Sequence, residues 1–103
     1  MATKITLLPV AEKQRLDKWL WIARVVKTRK QAVELIEAGY VRIDAQRIEV
    51  PAKLVGPGMV LTIALDRRVR ILRITGLALR RGSADVAEQL FEDLAAKAAP
   101  AAI

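Results

Sequence analysis

The sequence contains no cysteine and no histidine. Without cysteine there are no disulfides, no thiolate nucleophile and no cysteine metal site. Without histidine the commonest acid–base group and the commonest metal ligand are gone. Catalysis would fall to carboxylates or lysines, and no carboxylate pair is marked out by its spacing. The Gly56-Pro57-Gly58 run is a turn, because it lacks the Gly-Lys-Ser/Thr that a phosphate loop needs. We therefore expect a protein that is not an enzyme, with no catalytic residues, cofactor, metal or small-molecule substrate. No apolar run approaches the roughly 18 residues of a membrane span. The short apolar patch from Ile5 to Val10 is interrupted by Pro9 and has no secretory cleavage pattern. The expectation is a cytoplasmic chain with no membrane partner.

Positive charge is what the sequence has in excess. Its 103 residues carry 18 Lys and Arg against 11 Asp and Glu, a net charge of +7, and 53% of them are hydrophobic, enough for one modest core. A domain this basic meets a polyanion. The charge is uneven: residues 1–53 carry +5, residues 54–83 carry +5 and residues 84–103 carry −3. The division that follows is an N-terminal arm over 1–14, a basic domain over 15–83, and an acidic helix and tail over 84–103.

Leu16, Trp19, Leu20 and Ala23 recur at helical spacing, which predicts a helix from Arg15 to Val26. A second helix starts at Thr28, with Gln31 completing a capping box and Gly39 placed to end it. It is about 10 residues long and too short to stand alone, so it packs on the first. The period then changes. Val41–Asp44 and Gln46–Val50 read as strands around an Asp44-Ala45 turn, and Met59–Leu65 and Val69–Leu79 as longer strands. Ser83 caps a last helix whose apolar side is Val86, Ala87, Leu90, Phe91 and Leu94. The result is a mixed α/β domain of the α+β kind, with two packed N-terminal helices, a small, mostly antiparallel sheet and a C-terminal helix.

The candidate site is the cluster Arg15, Lys18, Arg24, Lys27, Arg29 and Lys30, which has one acid, Asp17, among its six cations. Three of the cations surround the start of the second helix, where the helix dipole disfavours them. A solvated face with ordinary ion pairs is one reading. The other is an anion site, since a helix N-terminus with added cations suits phosphate. Glu34 and Glu37 share the exposed side of that helix with Lys30, which disfavours laying it along a DNA groove. Trp21 lies off the apolar stripe; it either stacks on a base or covers a corner of the core. Lys53 can join this cluster or a second, weaker group formed by arginines 67, 68, 70, 73, 80 and 81.

The stretch RLDKWLWIARVVKTRKQAVELIEAGYVRIDAQ, Arg15 to Gln46, closely resembles the S-four RNA-binding domain, also called the alpha-L RNA-binding motif. Arg15-Leu16-Asp17, Thr28-Arg29 with Ala32, and Gly39 with Val41 and Ile43 carry the likeness, and Pro51, Val55, Gly58 and Val60 continue it. RLDKWLW followed by AR and KTR is similar to the ribosome-associated heat shock protein fifteen branch. The resemblance implies a non-enzymatic protein that binds structured, ribosomal RNA, with the large ribosomal subunit and its quality control as the partner and role. It places the RNA face on Arg15, Lys18, Arg24, Lys27, Thr28, Arg29, Lys30 and Gln31, with Lys53 as an addition. The chain departs from the pattern at Asp44-Ala45, where Asn-Gly is common, at Gly58-Met59, and in its acidic end where that branch has a basic tail. Two other functions compete: an RNA-targeting subunit for a separate modifying enzyme, and a double-stranded DNA binder.

Overall fold

The computed structural model describes residues 13–95. All of the expected arm except Lys13 and Gln14, and residues 96–103 of the expected tail, lie outside the described residues. The first element is a strand that the sequence pattern does not mark. β1 (Gln14–Arg15) pairs antiparallel with β4 (Leu54–Val55), Arg15 opposite Leu54. This short ribbon brings the 51–53 segment to the start of α1 (Leu16–Ile22). The Leu16 and Asp17 amides, which a helix start leaves without partners, donate to the Lys53 and Pro51 carbonyls at 2.8 and 3.1 Å.

The helix expected from Arg15 to Val26 stops at Ile22 instead. Arg24 sits in the left-handed region with φ 61°. Its amide donates to Trp21 O at 3.1 Å, and the Val25 amide to Leu20 O at 3.0 Å. That pair of bonds is a Schellman motif, which ends a helix and satisfies its last carbonyls. Glycine usually occupies the left-handed position, so an arginine there conceals the stop.

α2 (Arg29–Glu37) begins and ends as its sequence predicts. Thr28 Oγ1 accepts from the Gln31 amide at 3.0 Å, and Gln31 Oε1 accepts from the Thr28 amide at 3.2 Å, a complete capping box. A second Schellman motif closes the helix, with Gly39 at φ 87° and bonds from Gly39 to Ile36 and from Tyr40 to Leu35.

The main sheet is antiparallel throughout, in the order β3-β2-β5-β6-β7. Its strands are β2 (Val41–Ile43), β3 (Gln46–Ile48), β5 (Val60–Ala64), β6 (Val69–Ile74) and β7 (Phe91–Asp93). Asp44 and Ala45 make the tight turn with φ 49° and 74°, as a type I′ hairpin requires. β6 ends at Ile74 and does not run on to Leu79, because the Thr75 and Gly76 amides both donate to Leu90 O, at 2.8 and 3.1 Å.

The C-terminal helix is also shorter than its pattern. Ser83 caps α3 (Ala84–Ala87), one 3₁₀ turn follows over Glu88–Leu90, and Phe91 then enters the sheet opposite Ile74. Two effects favour the strand over more helix. β6 offers an open backbone edge, and its arginines receive the acids of β7: Arg73 meets Glu92 at 2.7 Å and Arg70 meets Asp93 at 3.2 Å.

Among the described residues three α-helices and an antiparallel sheet therefore make an α+β domain. Alternation along the strands turns Val41, Ile43, Leu61, Ile63, Leu72 and Ile74 to one side, all buried. Leu16, Trp19, Leu20, Ala32 and Ile36 from the first two helices complete the core on that side. Trp19 holds three parts together: its ring is buried, its Nε1 donates to Gly76 O at 3.0 Å, and it meets Phe91 edge to face at 6.3 Å.

Candidate nucleic-acid interface

The candidate face is organised around a buried acid. Asp17 follows Leu16 into the core, and its side chain is only 2% exposed. Arg15 donates to it through Nε at 3.1 Å and Nη2 at 2.8 Å. Arg29, at the first position of α2, approaches the same carboxylate at 3.4 Å. The Lys18 amide donates to Asp17 Oδ1 at 2.7 Å. Burial pushes the Asp17 carboxyl up, but Arg15, Arg29 and that amide outweigh it and hold its pKa below the ordinary 3.8. The carboxylate is therefore ionised at neutral pH and grips two guanidinium groups from two elements. Arg15 and Arg29 remain 49% and 43% exposed, and most of their N–H donors stay available to an outside anion.

The other predicted residues fall around this centre in different ways. Lys53 is exposed, and its carbonyl bonds to Leu16 place it beside Arg15. Lys18 is half-buried next to Asp17, and Lys30 is exposed beside Arg29. The amides of Arg29 and Lys30 occupy the first helical positions of α2 and meet no protein acceptor among the described residues. Thr28 and Gln31 are committed to the cap, with Gln31 Oε1 also accepting from the Lys27 amide at 2.9 Å. Both residues therefore set the geometry of the helix end.

Arg24 and Trp21 are tied towards the C-terminal part of the chain. Arg24 Nη1 donates to Gly82 O at 2.6 Å. Arg81 donates to Trp21 O at 2.9 Å and to Val26 O at 3.4 Å, and its guanidinium covers the Trp21 ring at 5.8 Å from the centroid. Trp21 is half-buried against the core, and a cation lies over its ring. Of the second basic group, Arg70 and Arg73 pair with acids of β7 and Arg81 bridges the loop after α1, while Arg67, Arg68 and Arg80 are exposed.

Sequence reasoning counted Asp17 only as a partner for nearby cations. Its central position had one visible signal: it is the single acid among six cations, next to a core leucine.

Comparison with known proteins identifies the family. The family model described as the S4 domain, the S-four domain of the resemblance above, matches residues 14–61. A solved structure of heat shock protein 15 from Vibrio cholerae, described as trimeric, superposes with a TM-score of 0.74 at 36% identity over 80% of this chain and 82% of that one. The chain belongs to the S4 domain family, in its heat shock protein 15 branch. Heat shock protein 15 from Escherichia coli strain K12 is 40% identical over 81 residues, 79% of this chain and 60% of the relative. Small ribosomal subunit protein uS4 from Ligilactobacillus salivarius is 35% identical over 66 residues, 64% of this chain and 32% of that protein. The chain thus spans about three-fifths of the heat shock protein 15 sequences it matches. The S4 match begins at β1 and ends within β5, so it takes in the Asp17 centre, α2 and Lys53.

Proposed function

We propose that this protein is a non-enzymatic RNA-binding protein that captures structured ribosomal RNA through the two-helix face. The observation that carries the reading is the Asp17 carboxylate, which holds Arg15 and Arg29 side by side, both exposed, at the start of α2. Placing two guanidinium groups before the ligand arrives lowers the ordering cost of binding. Lys18, Lys30 and Lys53 adjoin the pair, Lys27 lies in the loop before α2, Arg24 is held nearer Gly82, and Thr28 and Gln31 fix the helix end. Phosphates are the natural ligands of such a face, and RNA of defined shape is recognised largely through them and the 2′-hydroxyls. The S4 family supports RNA as the polyanion. Likeness to small ribosomal subunit protein uS4 favours ribosomal RNA as the ligand; the large ribosomal subunit as the particle and quality control as the role are carried only by the resemblance to the heat shock protein 15 branch.

The test is a titration of structured ribosomal RNA across salt concentrations, with duplex DNA of equal length beside it. With about four to six phosphate contacts, the logarithm of the binding constant should fall against the logarithm of salt with a slope of about −3 to −5. RNA should bind more tightly than DNA at every salt concentration. A slope near zero removes the polyanion, and tighter binding to DNA removes the RNA.

A further inference from the structure

The sheet face turned away from the helices carries a second cationic surface. Arg42 on β2 and Arg47 on β3 stand directly opposite each other, and both are exposed. Like charges in that relation destabilise a sheet. Among the described residues Arg42 has no acidic partner, and Arg47 reaches only Glu49, at 3.7 Å. Arg47 lies across the bare backbone of Gly39, where a Cβ would stand 3.4 Å from its Cδ. The two arginines line a cleft of about 240 Å³ together with Tyr40 and Thr62.

Tyr40 is the one tyrosine of the chain and is 55% exposed. It also lines a larger groove of about 540 Å³, floored by Val26, Leu35 and Leu65, that follows the side of α2 from Lys27 and Gln31. The groove therefore starts at the two-helix face and meets the arginine cleft at Tyr40. Glu34 and Asp66 also line it. Their charge repels phosphates from the groove, so its apolar wall suits a base and not the backbone. The cationic part is the cleft of Arg42 and Arg47, and paired cations beside an exposed aromatic ring are the chemistry of single-stranded nucleic acid binding.

We propose that this surface takes a single-stranded RNA segment leaving the two-helix face, with a base stacked on Tyr40 and the adjoining phosphates on Arg42 and Arg47. The proposal rests on the reading of the two-helix face as an RNA site, and extends it to a part of the ligand that face does not touch.

Two measurements test it. The first uses the wild-type chain: its one tyrosine gives a single set of ring resonances, and oligouridine should shift them saturably. The second compares an RNA hairpin with and without a single-stranded oligouridine tail. The tail should tighten wild-type binding by about 5- to 150-fold, the range of one stacked base. R42Q/R47Q and Y40A should lose that gain and keep wild-type affinity for the tailless hairpin. The proposal is overturned if the tyrosine resonances do not move, if the tail adds no affinity, or if the gain survives in R42Q/R47Q. Should Y40A fold poorly, the wild-type resonances and the arginine variant decide. Failure of the underlying reading looks different: the tailless hairpin is then not bound, or is bound equally well after R29Q/K30Q.

Discussion

A single buried carboxylate turns a repulsive cluster of cations into a defined surface. Arg15 and Arg29 come from different elements and would separate if free; Asp17 holds both. Its pKa is lower in the folded chain than the ordinary 3.8, so the unfolded chain takes up the proton first as pH falls. The stability this gives is full above about pH 5 and is lost as pH drops through 3.8 towards the folded value. Asp17→Asn should therefore flatten the acid limb of stability against pH. It should also cost about 1.5–3 kcal/mol at neutral pH, the range of a hydrogen bond to a charged group, and weaken RNA binding although Asp17 itself is covered. Denaturant unfolding across pH, with RNA titration on the same samples, checks all three effects. An unchanged acid limb would show that the carboxylate does not organise this face. Asp17 was legible as an acid among cations, but its burial was not, since it depends on β4 closing over the start of α1. Arg24 was illegible for a different reason: nothing in its residue type announces a left-handed backbone.

At the scale of elements, the sequence reads well where side chains signal their own backbone. Thr28, Gln31 and Gly39 bounded α2 because capping boxes and left-handed glycines are local devices. The end of α1 and the conversion of Phe91–Asp93 into a strand were hidden, because both depend on distant partners. For α1 these are carbonyls bridged by Arg81, and for β7 the open edge of β6 with Arg70 and Arg73 on it. The start of α2 allows structure and binding to be separated. Thr28→Ala removes the cap and should cost about 1 kcal/mol of stability. R29Q/K30Q takes two cations from the positive end of a helix, a gain of a few tenths of a kcal/mol per charge at low salt. The loss of the Arg29 bond to Asp17 offsets part of that gain. Stability should change little while RNA affinity drops. Thermal unfolding and RNA titration on one set of samples distinguish these effects; a double variant that melts early and binds normally would assign those cations to the fold.

For the molecule as a whole, the acidic end partly neutralises the basic body. Glu92 and Asp93 reach back to Arg73 and Arg70, so two of the six arginines in residues 54–83 are balanced within the sheet. Among the described residues the exposed cations that remain include those of the two-helix face, Arg42 and Arg47 on β2 and β3, and Arg67, Arg68 and Arg80. The same strand makes the end of the described chain structural. Leu90 is fully buried, Phe91 meets Trp19 edge to face, and Arg70 lies over the Phe91 ring at 5.3 Å. Burying two such side chains is worth about 3–5 kcal/mol, against a total of about 5–15 kcal/mol for a small domain. A chain ending at residue 82 should therefore unfold at much lower denaturant or fail to fold, although it keeps every residue of the proposed RNA face. Phe91→Ala in the full chain should cost about 1–2 kcal/mol, since that ring is only partly buried. If the shortened chain instead melts with the full one, the β7 contacts add nothing and the basic domain ends where its charge changes sign. If both variants lose stability as expected, the acidic segment is the fifth strand of the sheet that supports the proposed RNA face.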